Sequence, residues 1–426
     1  MSATADLLGF AAGERVLPAA VRAAALMLLE DTLAVGVAGS TAPGADAVLM
    51  AARGWGSGEA APVLGRDVRL PAAGAAFVNG FQIHGLEWDA VHEPAVVHAM
   101  SVVTAALLSV CHDQGASREA ALAALVTGVD IACVLGLAAT TPLRYFRPAT
   151  AGLIGAALAC ARIAGLPPER FGDVLGLAHA QCAGTMQAHV EGSLALPMQV
   201  AVAARAAVTA VDLVAAGLPG PQDALVGPFG YFPMFDAGDP AALVATLGQV
   251  WRIAEISIKP WPSGRASHAT LAVLADNPGV SAIDAQVPTL IARLVGRPWV
   301  AGMSPAYARL CLPFLCALMM ADGRIDPRRF TAENIADPDL RRLGERLTIR
   351  VDDNPDPNAL APQRFGLTMA DGSHRAIMVP ATLGSPANPV SPAMRETKWD
   401  FARQLAAQPP ATPRADPLQW LSGTPE

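Results

Sequence analysis

The sequence predicts a mainly α-helical protein, with a large all-helical domain joined to a smaller α+β lid domain. Three observations predict it. Apolar residues make up 52% of the chain and much of that share is alanine, the best helix former. Helix-length apolar blocks follow one another from residue 18 to about 247. Near Trp251 the texture changes to short β-branched segments with turn punctuation.

The helical blocks span 21–37, 72–84, 97–112, 117–137, 150–164, 168–183, 197–216 and 240–247, separated by Gly, Pro or polar clusters. Those clusters are the expected stop signals. Several blocks are apolar nearly all round, which places them between other helices. Beyond them, 252–258 alternates as a strand does, and 287–294 and 347–351 also read as β segments. The segments 364–369 and 374–379 flank Ala370-Asp371-Gly372, a hairpin turn. Helices are expected at 266–276 and 304–322, a linker at 385–392, and a last helix at 394–407 that rejoins the first domain. The tail from Gln408, rich in Pro, Ala and Thr, reads as loose. The expected division is therefore 1–253 with 389–426 for the helical domain, and 254–388 for the lid.

With 426 residues and 16% charged residues, the chain has ample material for a large core. The formal net charge of −7 and the lack of a basic face argue against a nucleic-acid partner. The six cysteines form no C-x-x-C pair, which favours free thiols in a reducing compartment over zinc or iron–sulfur ligation. The N-terminus carries no signal-peptide pattern, and apolar stretches such as 310–321 fall short of the ~20 residues that span a bilayer. A cytoplasmic protein with no membrane partner is expected.

Two segments concentrate chemistry. His84-Gly85-Leu86-Glu87-Trp88-Asp89-Ala90-Val91-His92-Glu93-Pro94-Ala95-Val96-Val97-His98 gathers imidazoles and carboxylates between two apolar helices. A loop on rigid walls is a common place for catalytic groups, and a His beside a carboxylate can be tuned for proton transfer. A metal reading on His92 and His98 with Glu87 or Asp89 matches no strong ligand motif, so no metal is expected. The second segment is Ser257-Ile258-Lys259-Pro260-Trp261-Pro262-Ser263-Gly264-Arg265-Ala266-Ser267-His268. It brings Lys, Arg and His to a helix N-terminus, an arrangement suited to an anion. Lys259 and Lys398 are the only lysines in the chain. Arg147, just before a helix start, could meet an anion or simply face water. Both chemical segments also have plain readings, as a solvated loop and as an ordinary charged turn.

Together these segments resemble the MmgE/PrpD family over nearly the whole chain. The resemblance rests on Asn79-Gly80, His84, Leu86-Glu87-Trp88-Asp89 and His98, on Lys259-Pro260-Trp261-Pro262-Ser263 with Arg265 and His268, on Pro305-Ala306-Tyr307-Ala308-Arg309-Leu310-Cys311-Leu312-Pro313-Phe314, and on Lys398-Trp399. It implies a helical domain built from both chain ends, a smaller lid, a site between them, a homodimer, and a lyase that needs no cofactor. The substrate would be a small di- or tricarboxylate. His98, Asp89, Glu87 and Lys259 would be catalytic, and Arg265, His268, Arg147, His92 and Tyr307 would bind substrate. An epimerase or isomerase, and a non-catalytic binder of acidic ligands, are the competing readings. The chain departs from the family pattern at Ala90-Val91, where Asp-Thr is usual, at Arg147, where His is usual, and at Leu196-Pro197-Met198-Gln199, where Lys and His are usual. Cys311-Leu312-Pro313-Phe314 stands in place of Ser-Leu-Pro-Tyr.

Overall fold

Alanine and glycine let the first helices pack at close range. The structure, a computed structural model, describes residues 2–356, 359–408 and 416–423. The helices are α1 (Ala3–Ala12), α2 (Ala19–Ala38), α3 (Ala45–Arg53), α4 (Ala72–His84), α5 (Ala99–Gln114), α6 (Arg118–Leu137), α7 (Arg147–Ile163), α8 (Phe171–His179), α9 (Gln187–Glu191) and α10 (Ala195–Ala215), then the short α11 (Tyr231–Met234) and α12 (Ala241–Val244). A two-stranded ladder, β1 (Ala61–Pro62) with β2 (Arg69–Leu70), sits between α3 and α4. α7 packs against α5, α6 and α10. At the α6–α7 crossing, a Cβ placed on Gly155 would lie 2.2 Å from the Gly128 carbonyl oxygen. Ser117 starts α6 by accepting the Ala120 N–H at 3.2 Å. α6 and α10 are long and apolar enough to cross a membrane by length and composition, unlike the stretch at 310–321, but 83% of the α6 window is buried inside the protein.

The second unit holds α13 (His268–Asp276), β3 (Val280–Val287), α14 (Thr289–Val295), α15 (Pro305–Ala308), α16 (Leu312–Asp322), α17 (Ala332–Ala336), α18 (Pro338–Gly344), β4 (Leu347–Val351), β5 (Gln363–Met369) and β6 (His374–Val379). The sheet order is β4-β3-β5-β6. β3 runs parallel to β4 and antiparallel to β5, and β5–β6 is a hairpin turned at Gly372, φ 82°. This unit has its own apolar core, in which Ile283 and Phe365 meet Leu315 and Phe314. The chain then returns: α19 (Pro392–Leu405) and α20 (Pro417–Ser422) bury Trp399, Leu405 and Leu421 in the first core. The protein is thus mainly α, with a smaller α+β unit.

Several elements differ from the sequence expectation. The segment 252–258 is not a strand: Arg252–Glu255 is a 3₁₀ turn, because the Asp130 carboxylate takes the Ile253 N–H at 2.8 Å. Only Ser257 keeps a strand-like bridge, to Val91. The segment 287–294 divides at Pro288, with Val287 ending β3 and α14 following. The helix expected over 304–322 is two helices, because Pro313 has no N–H to continue one and instead sits at the start of α16. Residues 409–415 of the tail lie outside the described residues, but α20 is docked, with Leu421 fully buried.

Gly155→Ala should lower stability by about 1–3 kcal/mol, since the added methyl meets backbone. A chemical denaturation midpoint equal to that of the parent protein would show that the α6–α7 crossing has slack.

Candidate active site

α4 ends at His84 and α5 begins after His98, so the loop between them is held at both ends by buried helices. It carries the two non-glycine residues with left-handed backbone among those described, Glu87 at φ 55° and Val96 at φ 51°. For a β-branched residue such as Val96 this is a strained conformation. In this loop, Glu87 and Asp89 both turn toward the imidazoles.

Asp89 is fully buried. Its Oδ2 meets His84 Nδ1 at 2.9 Å and His98 Nδ1 at 3.0 Å, and accepts from the Ser101 hydroxyl. Its Oδ1 lies 3.7 Å from Lys259 Nζ. Lys259, itself fully buried, donates to the Glu87 carbonyl at 2.9 Å and to Glu87 Oε2 at 3.3 Å. His84 Nε2 stands 3.3 Å from Glu87 Oε1. The two imidazole rings meet edge to face, centroids 4.8 Å apart.

Their environments separate the two histidines. Burial disfavours charge on His84, but the adjacent Asp89 and Glu87 carboxylates outweigh it and raise its pKa to about 10. Burial and the Lys259 ammonium hold His98 below the ordinary imidazole value. Although burial opposes it, the same imidazoles and Lys259 hold both carboxylates well below their usual range. At neutral pH His84 is therefore an imidazolium and His98 a neutral ring. The His98 tautomer follows from geometry: Nδ1 faces two acceptors, Asp89 Oδ2 and the Ala90 carbonyl at 3.1 Å, so it carries the hydrogen. Nε2 is left as a free lone pair.

The cationic turn reaches this floor from the lid. Arg265 Nε and Nη2 hold Glu93 Oε1 at 2.9 and 2.8 Å, while Nη1 and Nη2 donate to the carbonyls of Leu383 at 2.6 Å and Thr382 at 3.2 Å. Behind the turn lies Lys398 of α19. Its ammonium pairs with Asp31 of α2 at 2.6 Å and donates to the carbonyls of Lys259 at 2.9 Å and Trp88 at 3.2 Å. One buried cation thus ties both chemical segments to α2.

A cavity with about 760 Å³ of empty space, counting its open mouth, lies where floor and lid meet. Glu87, His98, Lys259, Arg265 and Arg147 line it, and Asp89 sits directly behind. His92, His268 and Tyr307 do not line it. His92 accepts the Ala95 N–H and turns its other nitrogen to Glu255 at 3.0 Å, so it braces the loop. His268 points into the lid against Ser263 Oγ at 3.2 Å, and its burial keeps it neutral, which removes it as a charged grip on an anion. The Tyr307 hydroxyl donates to the Pro298 carbonyl at 3.0 Å. Arg147 lines the cavity, but its guanidinium is engaged by Asp236 at 3.3 and 3.4 Å and by the carbonyls of Ala95 and Thr141.

Sequence reasoning passed over three partners: His84 as the second imidazole, Glu93 as the counter-ion of Arg265, and Asp31 as that of Lys398. The scarcity of lysine pointed toward Lys398. Nothing in the spacing pointed to Asp31, on a helix far away in the chain. His84, Asp89 and His98 each offer a ligand atom within 4.8 Å of the others. The His84 and His98 nitrogens nearest Asp89 both donate to it, and the Lys259 ammonium stands alongside, so this cluster suits proton transfer better than a cation.

A carboxylate–imidazole–lysine cluster thus lies enclosed between a helical unit and a smaller α+β unit, in the kind of cavity that marks a candidate active site. The chain belongs to the MmgE/PrpD family and is a lyase-type enzyme of that family: the MmgE/PrpD N-terminal domain pattern matches residues 9–243 and the C-terminal domain pattern residues 266–408. It is 25% identical to the cis-aconitate decarboxylase of Homo sapiens over 369 residues, covering 81% of this chain and 76% of that protein. It is 24% identical to the cis-aconitate decarboxylase of Aspergillus terreus over 413 residues, 86% of this chain and 82% of that one. It is 28% identical to a cis-aconitate decarboxylase-like protein of Aspergillus oryzae over 262 residues, 57% and 54% of the two chains.

Lys398→Met would leave Asp31 buried and unpaired, an expected loss of about 3–5 kcal/mol. Pairing it with Asp31→Leu should recover most of that loss in urea unfolding. Equal destabilisation in the single and double variants would refute the ion-pair account.

Proposed function

We propose that this protein is a lyase that removes water or CO₂ from a small carboxylated substrate, by proton transfer between side chains alone. The observation that carries the reading is the geometry of two imidazoles sharing one buried carboxylate, His84 flanked by a second carboxylate, Glu87, and Lys259 set beside the shared Asp89; that arrangement pushes His84 up and His98 down. Pairs of titratable groups pushed apart in this way mark acid and base. His98 Nε2 is the base, with Asp89 and the Ala90 carbonyl fixing its tautomer. His84 is the acid. Lys259, steadied by Glu87, meets the substrate carboxylate and stabilises the enolate-like charge that develops beside it. Arg265 and Arg147, already paired internally, shape the cavity wall.

For loss of water, His98 takes the proton on the carbon next to the carboxylate. The freed electron pair forms the double bond, and the hydroxyl on the neighbouring carbon leaves with the proton of His84. Both imidazoles then reset through solvent. For loss of CO₂, the bond to the departing carboxylate breaks and its electron pair stays on carbon, where His84 delivers a proton. The names of the relatives favour this second course. An epimerase would need a base on each face of the carbon, whereas His84 holds its proton at neutral pH. The rest of the proposal is a cytoplasmic homodimer without nucleic-acid or membrane partners, in which residues 254–388 close over a unit formed by 1–253 and 389–426.

For loss of water, His98→Asn should lower kcat by roughly 10²–10⁴-fold with little change in the melting temperature; for loss of CO₂ the corresponding loss is expected of His84→Asn. A parent-like rate would remove His98 as the base. The pH profile of kcat/KM should be bell-shaped. Its acid limb reports protonation of His98, so it should fall below the ~6.5 of a free imidazole. Its alkaline limb should lie near 10, as His84 loses its proton. An acid limb above the free imidazole value would contradict the assignment.

A further inference from the structure

Four of the cations around the cavity have an acid of their own: Lys259 has Glu87, His84 has Asp89, Arg265 has Glu93 and Arg147 has Asp236. Two arginines of the α+β unit do not. Arg309 follows α15 and is 2% exposed. Its Nη1 donates to the Gly85 carbonyl at 2.7 Å, at the C-terminal end of α4, and its Nε is buried with no hydrogen-bond partner. Arg297 lies over the Tyr307 ring at 4.7 Å and donates from Nη2 to the His189 carbonyl at 3.1 Å, while its Nη1 is buried without a partner. Among the described residues no carboxylate stands within ion-pair distance of either guanidinium. Burial lowers the pKa of Arg309 to about 10, so it is charged at neutral pH. A buried charge without a counter-ion is costly, and the negative end of α4 offsets only part of that cost. Glu87 is the acid whose charge reaches both arginines.

Glu87 is also the acid that a bound carboxylate has to face. It lines the cavity between Lys259 and His84. The Lys259 ammonium spends two N–H groups on Glu87, one on its carbonyl at 2.9 Å and one on Oε2 at 3.3 Å, and keeps one for a ligand. A carboxylate bound at that N–H shares the ammonium with Glu87, and two anions side by side repel. His98 and His189 also face Glu87, but both are held below the ordinary imidazole value and add no positive charge at neutral pH. Inside a protein such repulsion is offset by a cation several ångströms away, without contact.

We infer that Arg309, seconded by Arg297, is a positioning residue for substrate binding: from behind the cavity wall its charge offsets the repulsion between Glu87 and a carboxylate held by Lys259. Arg309 does not line the cavity, but its carbonyl accepts the Gly264 N–H, and Gly264 and Leu310 do line it. It therefore acts through Glu87 and not by gripping substrate. Arg309 belongs to the α+β unit and Glu87 to the helical one, so the compensating charge is in place only when the two units are packed together. The inference rests on the lyase reading only in taking Lys259 as the group that meets a substrate carboxylate.

The test is a charge cycle on the full chain, with cis-aconitate and citrate as probes, binding read by calorimetry and turnover by product release. Arg309→Gln keeps a donor for the Gly85 carbonyl and removes the charge. It should weaken both probes by about tenfold or more, seen in turnover as a raised KM with kcat little changed. Arg309→Lys keeps the charge and should recover most of that loss. In a Glu87→Gln background Arg309→Gln should cost little, because the repelling anion is gone. Arg297→Gln, whose lost hydrogen bond is to α9, should show the same dependence on Glu87 and carries the test if Arg309→Gln fails to fold. Equal losses in the Gln and Lys variants, or a loss that persists without the Glu87 charge, would make Arg309 a structural clasp and overturn the inference. Parent-like binding by Arg309→Gln, or no binding of either probe by the parent protein, overturns it too. Binding in the expected pattern without release of water or CO₂ supports the inference and counts against the lyase reading alone.

Discussion

Asp89 has no contact with water, and much of the site can be derived from that fact. A buried carboxylate is stable only when hydrogen-bonded and countered by positive charge. Here two imidazoles, a hydroxyl and an ammonium surround it, coming from α4, α5 and the lid turn. Because one carboxylate cannot hold two imidazolium rings equally, the ring nearer both carboxylates keeps its proton and the ring nearer the lysine stays neutral. The opposite pKa shifts of two chemically identical side chains are thus a product of where the neighbouring charges sit. The same charge holds the lid turn against the floor, so fold and chemistry share one electrostatic centre.

The apolar periodicity made most of the long helices legible. It succeeded for α4, bounded by Pro71 and Gly85, and for α6, started by the Ser117 cap. It failed where a distant group overrode the local pattern. The alternation at 252–258 looked like a strand until the Asp130 carboxylate captured the backbone at Ile253. Pro313 could have warned that 304–322 would break, since the residue lacks the donor a continuous helix needs.

The candidate site was legible as two clusters, of which Glu87, His98, Lys259 and Arg265 line one cavity while His92 and His268 do not. What the sequence could not supply was the pairing. A lone Arg265 or Arg147 reads as a free cation, yet each is engaged by an acidic residue elsewhere in the chain. A His reads as a ligand or a base until its nitrogens are counted: His92 and His268 spend theirs on the scaffold. Charge-bearing residue types therefore marked the candidate site, while its net charge depends on which charges cancel.

Lys398 also gives the site an order of assembly. Asp31 lies near the start of the chain and its partner near the end, and domains fold as units during synthesis from the N-terminal side. Until α19 emerges from the ribosome, α2 must hold an uncompensated acid, and neither the Lys259 nor the Trp88 carbonyl has its donor. The last long helix to be made is thus the keystone of the first domain, and a nascent chain that stops short of it presents the two charged segments without fastening them together.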